Sequence, residues 1–430
     1  MLVKKFIILI FIMLAINSIC FAGSDFQGAM KKLKSTDAEV RIEAIESLVE
    51  SADIRAVVPL IHILKTDPDA EVRSKIPTSL VLLHDPKAVD ALIAALKDND
   101  EFVREAAASA LGFFNDPKAV EPLILTLKDD YANVRIGAMV SLALLRDKRA
   151  VQPIIFILQN DKDGNVRREA ANLLAQFDDP STVEPLLEAL KDSDEHVRMS
   201  AAGALGQISD KRGIEPLIAL SKTDPNARVR DICLESLTSL AVFKKYPVSV
   251  EAFVSALKDQ NDQVREQAVN TLRNFKDPIM IDPLLYSLRS DKDWRVREGA
   301  IIALRNFKDP KVIDSLILTL KDDEDNRIRG GAASNLGSSK DPRALEQLVY
   351  AFNNDPDMLV RANCASAMVS LNDSRAVPYL IKALSDKNSE MRDSALSALK
   401  YLTKEFNIEG NPAAWEKWWE ENKGKFQSSK

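Results

Sequence analysis

Residues 116–147 read DPKAVEPLILTLKDDYANVRIGAMVSLALLRD, and this stretch decides the fold. Asp116 followed by Pro117 marks a helix start, because the carboxylate can accept bonds from free first-turn amides and proline suits the first helical position. Val120, Leu123, Ile124 and Leu127 then recur at helical spacing. Lys128, Asp129 and Asp130 break the pattern into a turn. A second helix is predicted from about Asn133, with Val134, Ala138, Met139, Leu142 and Leu145 along one stripe, and Asp147 opens the next unit.

The grammar repeats along the chain. A hydrophobic residue directly precedes an arginine at 41, 73, 104, 135, 167, 198, 230, 265, 297, 329, 361 and 392, in steps of 31 or 32 residues with one of 35. The position seven after the arginine is Leu in eleven repeats and Met368 in the other. A period held over this length marks an array whose units bury their apolar faces only against their neighbours, so the 430 residues read as one repeat array rather than several globules. At 100° per residue, the positions −1, +3, +4, +7 and +10 from the arginine share one arc, which is the expected buried face. No alternating run is long enough for a strand. The expected class is all-α, an α-α superhelix of about twelve two-helix repeats.

Two helices per repeat, Asp-Pro starts, Val-Arg opening the second helix and Ala-Leu-Gly near its end (Ala110-Leu111-Gly112, Ala204-Leu205-Gly206) resemble the HEAT repeats of the phycobilisome-lyase type. The resemblance covers about residues 25–402. It implies a HEAT-like solenoid, and it leaves the activity open because such units serve unrelated roles. Eleven of the twelve arginines also have an aspartate six residues earlier, with Ser35 in the first repeat. HEAT repeats are similar in this Asp/Arg spacing, which implies a tie from one turn to the next. Guanidinium can bridge a carboxylate and free turn carbonyls together. With an aspartate built in beside each arginine, an arginine ladder for a polyanion is the lesser reading.

The ends and one interruption depart from the period. Lys4 and Lys5 precede the apolar run Phe6 to Ile16, and Ala22 offers a cleavage position, so residues 1–22 read as a secretory signal. The chain is then secreted or periplasmic, in a bacterial envelope, and touches membrane only through that segment if it stays uncleaved. Its loss would move the formal charge from −6 to −8, and no basic stripe suggests nucleic acid. Residues 23–402 form the expected array, with a three-residue insertion near Phe243-Lys244-Lys245-Tyr246-Pro247 as a candidate hinge at 241–250. Pro77 is expected to kink its helix or delay the start. Seven first helices carry a proline (Pro59, Pro122, Pro153, Pro185, Pro216, Pro283, Pro378), which suggests a shared bend. Residues 403–430 form a cap and tail in which Trp415, Trp418 and Trp419 share a helix face.

Chemistry is sparse. The three histidines, His62, His84 and His196, belong to two repeats and supply no convergent ligand set, so no metal or other cofactor is expected. HEAT-like hydroxylases carry His-Glu pairs, whereas these histidines precede Ile63, Asp85 and Val197. Cys233 and Cys364 stand where other repeats have alanine and read as core residues. No catalytic residue is proposed.

The positions +1, +5 and +9 of the second helices face away from the core. Leu82, Phe113 and Leu144 at +9, with Ile136 at +1, form a candidate apolar strip for a protein partner. Trp294 is a candidate aromatic anchor or a filler of a local gap. Arg273 and Arg305, in stacked +8 positions, could receive an acidic partner. The expected role is a non-catalytic protein-binding scaffold. The alternatives are a chromophore-lyase-type enzyme or its accessory subunit, and a passive spacer.

Overall fold

The computed structural model describes residues 26–427; the signal expected at 1–22 lies outside them. Among the described residues there are α-helices and short tighter turns but no strand, as the sequence period requires. No described helix is long and apolar enough to cross a membrane. The chain divides into two compact units, Met1–Pro216 and Leu217–Lys430.

In the first unit the second helices of consecutive repeats are Ala38–Glu50, Ala70–Leu83, Glu101–Leu111, Ala132–Leu145, Gly164–Leu174 and Glu195–Ile208. Each begins on an aspartate or, at Tyr131, a non-capping residue; Asp37, Asp69, Asp100, Asp163 and Asp194 accept first-turn amides. In the second unit they are Ala227–Thr238, Asp262–Leu272, Trp294–Leu304, Asn326–Ser339, Met358–Leu371 and Ser389–Thr403.

The expected buried arc is the core. Val134, Ala138, Met139 and Leu142 are wholly buried, and the equivalent Val296, Ala300, Ile301 and Leu304 match them in the second unit. Each buried valine, leucine, isoleucine or methionine in this layer contributes about 1.5–3 kcal/mol by leaving water. Cys233 and Cys364 are buried in this layer, and desolvation pushes their thiols up to about 12, so they pack rather than react.

Glycine sets how closely second helices approach. A side-chain carbon on Gly112 would lie 2.7 Å from the Ser141 α-carbon, and one on Gly337 would lie 2.6 Å from that of Ala367. The Gly112 amide donates to Ser141 Oγ at 3.0 Å, which stitches the two helices where no larger residue fits.

The recurrent prolines have a structural cause. Several first helices open with one tight 3-10 turn, such as Ile54–Ala56, Pro117–Ala119 and Lys148–Ala150, before the α-helix starts at Val57, Val120 or Val151. Pro59, Pro122 and Pro153 each occupy the third residue of that α-segment, within the first turn, where a missing amide removes little hydrogen bonding. Pro77 corrects the expectation of a late start: its helix runs unbroken from Ala70 to Leu83, with the ring buried in an apolar position. The insertion after repeat seven is taken up by a π-helical turn, Ser239–Phe243, followed by residues in open loop up to the helix Val250–Ala256.

The last helix, Pro412–Gln427, packs on the helix Val377–Ala383 of repeat twelve. Trp415 is wholly buried there and its indole N–H donates to the Glu409 carbonyl at 2.9 Å. Trp418 meets Phe426 edge-on and Trp419 meets it tilted, and both are only partly covered.

Candidate protein-binding surface

The arginines come first, because they decide which surface is framework. Arg41 donates from Nε and Nη2 to the two carboxylate oxygens of Asp67 at 2.8 and 2.9 Å, and from Nη1 to the Ser35 carbonyl at 2.9 Å. The same fork recurs at Arg73, Arg104, Arg135, Arg167, Arg265 and Arg329, always to an aspartate 25 or 26 residues further on. Arg297 donates to Asp323 from Nη2 alone, at 3.1 Å, with Nε at the same ion-pair distance but not aligned for a bond.

This corrects the reading of a private acid six residues upstream. That aspartate gives its own arginine only the backbone carbonyl, as Asp67 does to Arg73, and gives its carboxylate to the arginine of the preceding repeat. Its Oδ1 also caps the following turn, as in Asp69 N–H to Asp67 at 2.9 Å. One side chain therefore serves three bonds, two to the arginine of the preceding repeat and one to the turn that follows it. Ser35 suffices in the first repeat, where its carbonyl accepts from Arg41 and its Oγ accepts from the Asp37 amide at 3.1 Å. Arg230 reaches Asp259 across 29 residues with bonds of 2.7 Å, so the ladder spans the three-residue insertion intact.

The rungs are shielded, with the Arg135 and Asp161 side chains only 6% and 5% exposed. The Arg167 bond, opposed by burial and helped by the Asp194 amide, holds the Asp192 carboxyl below the usual carboxylate range. At Asp129 and Asp259 burial pushes upward, but the Arg104 and Arg230 bonds and a turn amide outweigh it. Guanidinium forks already filled by carboxylates have no face left for phosphate, so the ladder is framework. It ends at Arg361, whose Nη2 and Nε instead meet the sulfurs of Met358 and Met391 at 3.1 and 3.4 Å, while Asp386 is exposed.

With the framework assigned, the candidate residues can be placed. Leu82 and Phe113 are each 36% exposed, Ile136 and Leu144 are half-buried, and Val140 joins them at +5 of repeat four. Leu82, Ile136, Val140 and Leu144 lie on second helices and Phe113 in the 3-10 turn Gly112–Phe114 that continues the helix between them; these helices pack side by side, so the five form one strip of the first unit. Trp294 is half-buried beneath the Arg327 guanidinium, 3.4 Å from its ring centre, in the manner of a covered local gap. Arg273 is exposed and bonds Asn270 of its own helix at 2.8 Å. Arg305 donates to Asn335 of the next repeat at 2.8 Å, and Asn335 in turn donates to the Ile301 carbonyl, so Arg305 has a packing task of its own. The second helices do not bring Arg273 and Arg305 into a shared bond.

A second exposed row escaped the sequence reading. Leu125, Phe156, Tyr286, Leu318 and Tyr350 occupy one register of the first helices and are 48–66% exposed. Other repeats place His62, Ala94, Glu188 or Ala219 in that register, so the signal was an apolar residue where the repeat does not need one. The row +1 in the same helices is neutralised by ion pairs such as Asp282 with Lys311 and Asp314 with Arg343.

The histidines remain apart in role: His84 stacks on Phe114 at 5.6 Å, and His196 lies 3.3 Å from Asp194. Among the described residues no group of three or more His, Cys, Asp or Glu side chains could hold a metal ion.

The profile of HEAT repeats matches residues 57–143, 151–238, 250–337 and 313–400, and the chain belongs to the HEAT-repeat family. No curated protein matches it. Among solved structures it is similar to Kap95p, described as inducing the switch loops of RanGDP to adopt the GTP-bound conformation, at 17% identity over 95% of this chain and 64% of that one, with a TM-score of 0.57. It is also similar to Kap121p bound to RanGTP, at 15% identity over 88% of this chain and 48% of that one, with a TM-score of 0.61. Yeast importin-beta (Kap95p) gives 16% identity, 95% and 65% coverage and a TM-score of 0.54. The chain thus spans from just under half to about two thirds of the length of these proteins, and the likeness is one of fold.

Proposed function

We propose that this chain is an exported, non-catalytic scaffold that docks protein partners on the second-helix face of its repeats, in a secreted or periplasmic setting. The observation that carries the reading is the strip Leu82, Phe113, Ile136, Val140 and Leu144, apolar at positions that neither the core nor the ladder uses. Contiguous apolar side chains left in water are a standing cost unless a partner covers them. HEAT-repeat structures described as bound to RanGTP or to Pho4p support protein binding as a use of this fold. Export rests on Lys4, Lys5, the run Phe6 to Ile16 and Ala22. Trp294, Arg273 and Arg305 are secondary contacts on this reading, Arg273 the freest of them. Kinship with phycobilisome-lyase repeats is one of shape.

The test is affinity capture from envelope extract with the full chain, Phe113→Ala and Trp294→Ala, each checked for folding by circular dichroism, with the captured proteins identified by mass spectrometry. A scaffold loses a defined partner in Phe113→Ala while staying folded. Identical capture by all three, or a chromophore that co-purifies with the chain, overturns the reading. N-terminal sequencing of the exported protein should find Gly23 first.

A further inference from the structure

The strip and its surroundings specify what kind of segment fits. In the rows +5 and +9 of repeats one to five the residues run Glu46, Thr78, Ser109, Val140, Asn172 and Glu50, Leu82, Phe113, Leu144, Gln176. Glu46 and Glu50 are the only ionised side chains in those two rows of repeats one to five, both exposed on the helix Ala38–Glu50, one turn apart and with no ion pair among the described residues. Along these two rows the charge is therefore one-ended, acidic beyond Leu82 and uncharged beyond Leu144, while the +1 row places Glu105 and Arg168 on either side of Ile136, Arg168 bonded to Asn165 at 3.0 Å. Lys75 is exposed but stands at +2, two turns from the +9 row.

From this we infer that the strip takes an amphipathic α-helix of a partner protein, apolar at heptad spacing and cationic one heptad beyond the residue that meets Leu82. The inference rests on the docking reading above and deepens it. Packed helices lie roughly 8–10 Å apart, and a helix rises 1.5 Å per residue, so one layer of the array corresponds to about five to seven partner residues, with the heptad at the upper end. Leu82, Phe113 and Leu144 then match residues i, i+7 and i+14, and Glu50 with Glu46 faces a lysine or arginine near i−7. A helix is favoured over an extended peptide because the strip offers only side chains. Its own backbone amides are consumed inside helices, whereas an extended segment would lie there with its polar backbone unpaired. A cation at the glutamate end recovers Coulomb energy that a neutral or acidic end forgoes.

The experiment uses the full chain and three fluorescent helical peptides of about 22 residues. One has Leu at i, i+7 and i+14 with two lysines one heptad before the first Leu; one has glutamates in place of the lysines; one has serines in place of the leucines. The lysine peptide binds about tenfold tighter than the glutamate peptide at low salt, and the preference shrinks at 1 M salt. The double variant Glu46→Gln/Glu50→Gln erases the preference, and Phe113→Ala weakens both leucine peptides. The serine peptide does not bind. Equal affinity of the lysine and glutamate peptides, with Phe113→Ala still weakening both, overturns the cationic helix and leaves the docking strip standing. Binding unaffected by Phe113→Ala, or failure of every peptide to bind, overturns the helix assignment; only the envelope capture above then decides the strip. Sedimentation showing a dimer that Phe113→Ala dissociates puts a second copy on the strip and also overturns it.

Discussion

The second helices of repeats two to four and of repeats ten to twelve share one framework and present different faces. Repeats two to four carry Leu82, Phe113, Ile136, Val140 and Leu144 at outward positions, beside Ser74, Thr78, Glu105 and Ser109; at the same positions repeats ten to twelve carry Gly330, Ser334, Ser338, Ala362, Ser366, Ser370, Asp393 and Ser397, with Tyr401 the one large apolar ring, at the far end. Beneath those faces the buried residues are close to interchangeable: Leu80, Leu111, Leu142, Leu336, Met368 and Leu399 at +7 are all wholly buried. Packing constrains the second set tightly and the first hardly at all. Where a position has no framework task, its chemistry reports what the outside requires.

The largest contrast to break is in the ladder. Arg135→Ala strands the Asp161 carboxylate in a shielded site, and chemical unfolding should show a loss of about 3–5 kcal/mol. Arg361→Ala removes contacts to Met358 and Met391 and a bond to the Asp355 carbonyl but strands no carboxylate, and its loss should stay under about 1.5 kcal/mol. Equal losses at both sites would show that charge pairing is not what the rungs contribute.

A smaller contrast separates two glycines of one helix. Gly337→Ala forces a carbon to 2.6 Å from the Ala367 backbone and should lower stability by about 1–3 kcal/mol. Gly331→Ala meets Ile301 at an ordinary 3.4 Å and should raise it by about 0.5–1 kcal/mol through helix propensity. Thermal melts of the two variants against the parent decide this, and a shift of the same sign in both would refute the role given to close approach.

The mildest effect over ordinary conditions is that of pH. Asp129, Asp192 and Asp259 have folded-state values below the usual range, and Asp293, held by Arg295 against burial, lies at about 2. A depressed carboxylate stabilises the fold fully above its unfolded value near ~3.9, and that contribution is lost as pH falls through the folded value. Stability should therefore be flat from neutral pH to about 5 and decline below about 4. A decline already evident between pH 7 and 6, followed by circular dichroism, would mean that other groups govern it.

Twelve arginines at a fixed step, aspartates at fixed offsets and aliphatic residues on one arc determined the helical pairs, their order and their buried face. These are local and periodic properties, and a period survives in one dimension. Which aspartate serves which arginine was beyond the sequence: the near candidate, six residues away, supplies a carbonyl, and the true carboxylate partner lies 25 to 29 residues off. Only the stacking of turns brings those groups together. Likewise the sequence offered Trp294 as an anchor, and tertiary packing laid Arg327 across it. It passed over Tyr286, Leu318 and Tyr350, whose exposure depends on which side of each first helix its neighbours cover. The strip at Leu82, Phe113, Ile136 and Leu144 was legible because its residues break the repeat; the one-ended charge of its +5 and +9 rows became visible once Glu46 and Glu50 stood exposed there. Periodicity is encoded in each residue's spacing, whereas pairing and exposure are decided by atoms that the chain brings together only when it folds.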